Sequence, residues 1–396
     1  MRKRCALALV AAMMCGAGAP AAHGDAAEPT ADHFRAYGLE LLRARQPEKA
    51  AAFLQFALGH YPLDVELNLL YLDVLAEEGL EVIARSSYRE DYKRYGDEAV
   101  ILYALGRLAE DEAESRVYYE RALAAADNFA PARLGLAELA FRRGDGDAAR
   151  AELERALKSN PEDWRAYALR GRIRLAQGDL RGAVEDLGRA LGGEPYAPAA
   201  HAALGEAYLT AGDAEAARAE YRKAIAWSDD RGAYFLGLAK AQEALGEVDA
   251  ARLAYAAAAS RACGDITLAV EARKAAGRLA FEAGDLVEAT EHITWAVTFA
   301  PDDAELHAYI GKLYLHVGRP AEAAAEFKRA TELEAGNGEY WYLLGRSQSQ
   351  AGELASAAQS LERAADLLPG ERAAGALREL DMVRARLAGS ESRQEE

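Results

Sequence analysis

Residues 178–195 read GDLRGAVEDLGRALGGEP, and the spacing inside this stretch decides the fold. Gly178-Asp179 marks the end of one helix and the start of the next. Ala183, Leu187 and Ala190 follow at steps of four and three, the spacing of one helical face. Pro195 then closes the second helix. The same punctuation recurs 34 residues apart at Gly144, Gly178, Gly212 and Gly246, and again at Gly284, Gly318 and Gly352 after four extra residues near Cys263. A fixed interval of this length is the sequence signature of a stacked helix-turn-helix array.

Numbering each unit from Ala31 as position 1 gives ten units up to Pro369. Position 8 is Gly or Ala in nine of them, with Leu72 the exception. Position 20 is Ala, or Ser115 in the third unit, and position 27 is Ala except for Asp91. Between those small residues, position 24 is always large and apolar: Leu54, Tyr88, Tyr119, Leu153, Leu187, Tyr221, Tyr255, Ile293, Phe327 and Leu361. Small side chains let two helices approach, and position 24 fills the space between them. Each Gly-Asp or Gly-Glu boundary pairs a left-handed C-terminal cap with an acid that suits the next N-terminus.

This pattern resembles the tetratricopeptide repeat family: Gly or Ala at 8, Ala at 20, an aromatic or large apolar residue at 24, Ala at 27 and Pro at 32. The match runs over residues 31–370 and is fullest from Asn160 to Gln350, where Tyr208, Tyr221, Tyr314, Phe327 and Trp341 all fit. The resemblance implies an all-α, right-handed α-solenoid of about ten units that binds partners rather than catalyses. Units 2 and 3 are degenerate. The second, Asp64 to Gly96, carries Leu72 and Asp91, and the third lacks three residues between Ala109 and Tyr119. The insertion at 259–268 is expected to lengthen a loop or a helix end.

Residues 371–387 keep a helical pattern, with Ala374, Leu377, Leu380, Met382, Val383 and Leu387 on or near one face. That stretch reads as a capping helix, which an array needs to cover its last apolar face. Residues 388–396 read as a frayed, disordered tail.

The N-terminus has the layout of a secretory signal over residues 1–24: Arg2, Lys3 and Arg4, an apolar run from Cys5 to Met14, then Ala19, Ala21, Ala22 and Gly24. Cleavage fits after Ala21 or after Gly24. The array is then 25–370, exported to the periplasm or secreted, with no transmembrane helix in the mature form. Met14 is too large for a lipoprotein signal ending at Cys15, which argues against a lipid anchor. Cys263 is left as the one mature thiol and reads as a small buried hydrophobe.

The formal charge of −17 becomes −20 when the three signal cations leave, since residues 1–24 hold no acid. Such a surplus of acids disfavours a nucleic-acid partner. No nucleophile elbow, phosphate-cradling loop or paired-histidine metal helix is present, so neither cofactor nor metal is expected. His292, His307 and His316 have no zinc spacing, and Asp145-Gly146-Asp147 lacks the later ligands of a calcium loop. After the signal and the array, only 27 residues follow Pro369, too few for an enzyme domain of ~50 residues.

Position 9 projects, with 2, 5 and 13, away from the partner helix; in the family these positions line the concave groove. Here it reads Leu39, Asp73, Arg107, Glu138, Arg172, Glu206, Lys240, Arg278, Lys312 and Arg346. Arg172, Lys240, Arg278, Lys312 and Arg346 are the candidate partner-binding cations, with Phe281 and Leu315 at position 12 as an apolar floor. That combination suits an extended acidic peptide or a chain-terminal carboxylate. The Lys and Asn clamp that some members use for a chaperone tail is not repeated. The reading is therefore a non-catalytic protein-binding scaffold of the cell envelope. The alternatives are a targeting or regulatory subunit of an envelope enzyme or export assembly, and a structural spacer. Seven tyrosines fall between Tyr71 and Tyr119, of which Tyr92, Tyr95 and Tyr118 read as seam packing or a second contact surface.

Overall fold

A computed structural model describes residues 29–193 and 197–391. The expected signal (1–24), Cys15, Pro195 and the tail beyond 391 lie outside these described residues. The chain divides into two compact bodies, residues up to 237 and residues from 238 onward.

The first body holds α1 (Ala31–Arg43), α2 (Pro47–Leu58), α3 (Val65–Glu78), α4 (Glu81–Tyr95), α5 (Ala99–Arg107), α6 (Glu112–Ala125) and α7 (Ala130–Arg142). It continues with α8 (Gly146–Ser159), α9 (Trp164–Ala176), α10 (Leu180–Gly193), α11 (Pro198–Thr210) and α12 (Ala214–Trp227). Helix α13 (Gly232–Ala244) carries the division at 237. The second body adds α14 (Val248–Ser260), α15 (Ile266–Glu282), α16 (Leu286–Phe299), α17 (Ala304–His316), α18 (Pro320–Leu333), α19 (Gly338–Ala351), α20 (Leu354–Leu367) and α21 (Gly370–Glu391). The described residues are helices and their connecting turns.

The turns form as the dipeptides dictate. Gly144, Gly178, Gly212, Gly246, Gly284, Gly318 and Gly352 all take φ between 74° and 87°, which only glycine adopts without strain. The amide after each glycine reaches back five residues, as in Asp145 N to Ala140 O and Asp285 N to Ala280 O, both 2.9 Å. With the glycine's own amide bonded three residues back, as in Gly144 N to Phe141 O at 2.9 Å, that double closure satisfies the last carbonyls of the first helix. The acid then starts the second helix: Asp145, Asp213 and Asp285 accept from the amides of Ala148, Ala216 and Glu288 at 3.0–3.1 Å. Glu247 and Glu353 make no such cap bond, leaving the helix dipole as the favourable term.

The alanines at positions 20 and 27 and the residues at position 24 are buried throughout. Where glycine holds position 8, the packing leaves no room for a side chain. A Cβ on Gly171, Gly277, Gly311 or Gly345 would lie 2.6–2.8 Å from Leu187, Ile293, Phe327 or Leu361, inside contact distance. Tyr119 is held on two sides, since Cβ atoms on Gly106 and on Gly135 of the next unit would both strike its ring.

The irregular units show where their missing residues went. In the third, α5 has nine residues where most first helices have 13 or 14, and Asp111 caps α6 through the Glu114 amide at 2.7 Å. In the second, buried Asn68 donates to Pro62 O and Asp64 O and accepts from the Tyr88 hydroxyl at 2.7 Å. Tyr92 and Tyr118 pack half-buried on the first body's core, and Arg121 donates to the Tyr92 hydroxyl at 2.7 Å. This is seam packing.

The insertion near Cys263 lengthens a helix end: α15 has 17 residues, capped by Asp265 on the Leu268 amide at 3.0 Å. Cys263 is exposed, not a buried hydrophobe, because it occupies a left-handed turn position (φ 47°) followed by left-handed Gly264, which faces its side chain to solvent. On α21, Ala376, Leu380 and Val383 are buried, whereas Leu377 and Met382 are 49% and 60% exposed. The buried line is thus narrower than the sequence pattern suggested, and the helix runs to Glu391.

Candidate partner-binding groove

In the first body a groove of about 1030 Å³ is lined by first-helix residues of successive pairs, including Arg107 on α5, Glu138 on α7, Arg165 and Arg172 on α9, and Glu206 on α11. Position 9 lines it in Asp73, Arg107, Glu138, Arg172 and Glu206, and position 2 in Arg165, Ala199 and Ala233. Tyr103, Trp164 and Tyr234 add aromatic wall.

The charges inside this groove are largely paired. Arg107 lies 3.2 Å from Asp73 and donates to the Tyr103 hydroxyl at 3.2 Å. Arg165, stacked on Trp164, reaches Glu66 at 3.5 Å and Asp73 at 3.6 Å. Arg172 stands 3.8 Å from Glu138, which also takes Arg142 at 3.0 Å. The groove therefore offers charges of both signs, fixed in place by each other.

The other four candidate cations belong to the second body. Lys240 meets Glu271 at 2.7 Å, Arg278 is bound to Glu243 and lies 3.3 Å from Glu282, and Arg346 lies 3.5 Å from Glu379. Lys312 differs. No carboxylate stands within ion-pair distance of it among the described residues, and its ammonium lies over the Tyr309 ring at 4.7 Å. Phe281 meets Tyr309 edge-on at 5.9 Å and His316 at 5.2 Å. Leu315 packs half-buried on the Phe327 cluster. Burial pushes the Tyr309 hydroxyl up to about 12, so it stays a neutral donor beside Lys312.

Counting one row of the sequence missed its partners. Arg165 at position 2 and Lys274 at position 5, which bridges Asp303 at 2.8 Å and Glu305 at 2.6 Å, project from the same helix face as position 9. A tally of positions 2 and 5 would have found them. The histidines act separately. His307 pairs with Glu326 at 2.7 Å, His316 lies exposed against Phe281, and buried His292 has its pKa lowered by desolvation and by Arg273. Asp145 is a helix cap, and no metal-holding group of three occurs among the described residues.

Models described as tetratricopeptide repeat match residues 107–173, 174–235, 236–304 and 310–372. The chain belongs to the tetratricopeptide repeat family. Tetratricopeptide repeat proteins are in general non-catalytic protein–protein interaction scaffolds that bind protein or peptide partners. Among solved structures the chain is similar to YrrB, described as a TPR protein with an unusual peptide-binding site: 18% identity, 50% of this chain, all of that one, TM-score 0.44. It is similar to Pseudomonas aeruginosa pilF at 18% identity, covering 59% of this chain and 99% of that one, TM-score 0.44. The human IFIT1 dimer gives 14% identity over 85% of this chain and 91% of that one, TM-score 0.46. No curated protein matches the chain.

Proposed function

We propose that this tetratricopeptide repeat protein is an exported, non-catalytic scaffold of the cell envelope that holds an extended segment of a protein partner along the faces of its first helices. The observation that carries the reading is the groove of the first body, about 1030 Å³, walled by aromatic rings and by charges of both signs. An extended backbone and its polar side chains exchange hydrogen bonds with such a wall without leaving buried charges unpaired. Export rests on Arg2, Lys3 and Arg4 followed by the apolar run to Met14. Among the described residues no helix is long and apolar enough to cross a membrane.

In the second body the anchor is Lys312. Lys240, Arg278 and Arg346 are already neutralised, so an incoming carboxylate gains most where no carboxylate is in place. An acidic side chain or a chain terminus binds Lys312, with a neighbouring apolar side chain on Phe281 and Leu315. Neutral substitutions test this better than charge reversal, which would repel Glu271 or Glu243 and disturb the fold. Partner captured from the native envelope fraction is to be quantified for Lys312→Gln and Arg172→Gln, with exposed Arg222→Gln on a second helix as control. The expected result is a loss of roughly tenfold for Lys312→Gln and little change for the control. Equal capture by all three variants would remove the site.

A further inference from the structure

Repeat arrays pack neighbour against neighbour, yet in the first body the turn between α12 and α13 reaches back to the end of α3. Arg231 donates to the carbonyl of Ala76 and lies 3.4 Å from Glu77. Tyr234 donates to Glu77 at 3.1 Å, and Arg45 reaches Asp229 at 3.5 Å. Trp227, just before this turn, packs on the core that extends from Phe34 to Leu139. Residues about 155 apart in sequence thus meet across the groove, and Glu77, Arg231 and Tyr234 all line it.

We propose that this contact is a proton-sensitive latch over the groove, closed when protonated and released on deprotonation, which governs entry of the partner segment. The role in entry rests on the function proposed above; the latch itself does not. Its chemistry is polar and partly exposed, so each pair is individually weak and the closure is cheap to break. Its charge is unbalanced. Glu77, Glu78, Asp229 and Asp230 gather around Arg231, Arg45 reaches Asp229, and Asp73 lies one helical turn behind Glu77. Ser228 donates to Asp230 at 2.9 Å, fixing that carboxylate in the cluster. Arg107 and Arg165 are engaged by Asp73 and do not reach the surplus.

Glu78 is the group that responds. Burial pushes its carboxyl up to about 7, Asp230 and Glu77 push the same way, and Arg231 opposes them. Burial also raises Glu77, against Arg231 and the Tyr234 hydroxyl. A carboxyl raised in the closed form binds its proton more tightly there than when the turn swings free. Closure is therefore favoured most below the ordinary value of 4.5, and the advantage is lost as pH rises through about 7. With these contacts in place an extended segment cannot pass sideways between α3 and this turn, so release opens the groove to internal segments as well as chain ends.

The native reporter is Trp227. In the full chain with Trp164, Trp295 and Trp341 changed to Phe, acrylamide quenching of Trp227 is measured between pH 6 and pH 8, with helical circular dichroism confirming the fold. The expected result is quenching that rises roughly twofold or more across this window. Glu78→Gln should hold it low at both ends, and Arg231→Gln should hold it high at both. Quenching equal at pH 6 and pH 8 in the parent, or a rise that survives Glu78→Gln, overturns the latch. The readout needs no partner, so it succeeds or fails independently of any capture assay.

Discussion

Gly311 shows how little freedom a single residue has in this fold. A methyl group there would lie 2.8 Å from the Phe327 ring, and a ring in a fully buried site has nowhere to turn. Gly311→Ala is expected to cost about 1–3 kcal/mol, seen as a lower urea midpoint or as lost amide protection in α17 and α18. Unchanged protection would mean that the two helices pack more loosely than described. The identity of position 8 was legible in the sequence because it repeats. Which side chain each glycine faces was legible too, since position 24 recurs with it. The exposure of Cys263 was not, because a seam found once offers no repeated pattern to read. The partners of the position-9 cations were equally hidden. Glu271, Glu243 and Glu379 sit at other positions of neighbouring helices, and a row read alone shows only its own charges.

Among the elements, the turns are the most predictable and the last helix the least. A left-handed glycine encodes its own turn hydrogen bond, so the helix boundaries from Gly144 to Gly352 follow from local chemistry, even at Gly318, where Arg319 stands in place of an acid. Helix α21 is defined by what it covers. It buries Ala376, Leu380 and Val383, and Glu379 accepts from the Tyr342 hydroxyl at 2.7 Å while drawing Arg346 to 3.5 Å. A chain ending at Leu367 would bare the apolar face of α20 that holds Leu361. Hydrogen exchange is expected to show faster exchange in α19 and α20 of that variant, with α1 to α5 unchanged. Full protection in α20 would show that α21 covers nothing essential. The periodicity of residues 371–387 announced a helix, yet it could not say that Leu377 and Met382 face outward, because that depends on the angle at which the helix crosses its neighbour.

At the scale of the molecule, two bodies each carry their own candidate surface: a walled groove in the first and, in the second, a cation with no carboxylate at ion-pair distance among the described residues. The excess of acids, −17 overall, is the background for the selectivity proposed at Lys312. A basic partner finds many sites on such a chain, whereas an acidic segment is repelled except where a cation stands uncompensated, as at Lys312. Composition showed the excess plainly; the places where it is locally reversed needed the pairing that only packed helices reveal. The pH response of the latch belongs to this scale as well, since it joins α3 to a turn 155 residues later and has no counterpart in any single repeat.

The most direct test places a photo-crosslinking residue in turn at Arg172 and Lys312 and, on second helices, at the exposed positions Arg222 and Leu253, and compares labelling of partner in the native envelope fraction. Saturable labelling from Arg172 and Lys312, with little from Arg222 and Leu253, is the predicted outcome. Labelling that is equal at all four positions, or confined to the two on the second helices, would contradict a partner segment held along the first-helix faces.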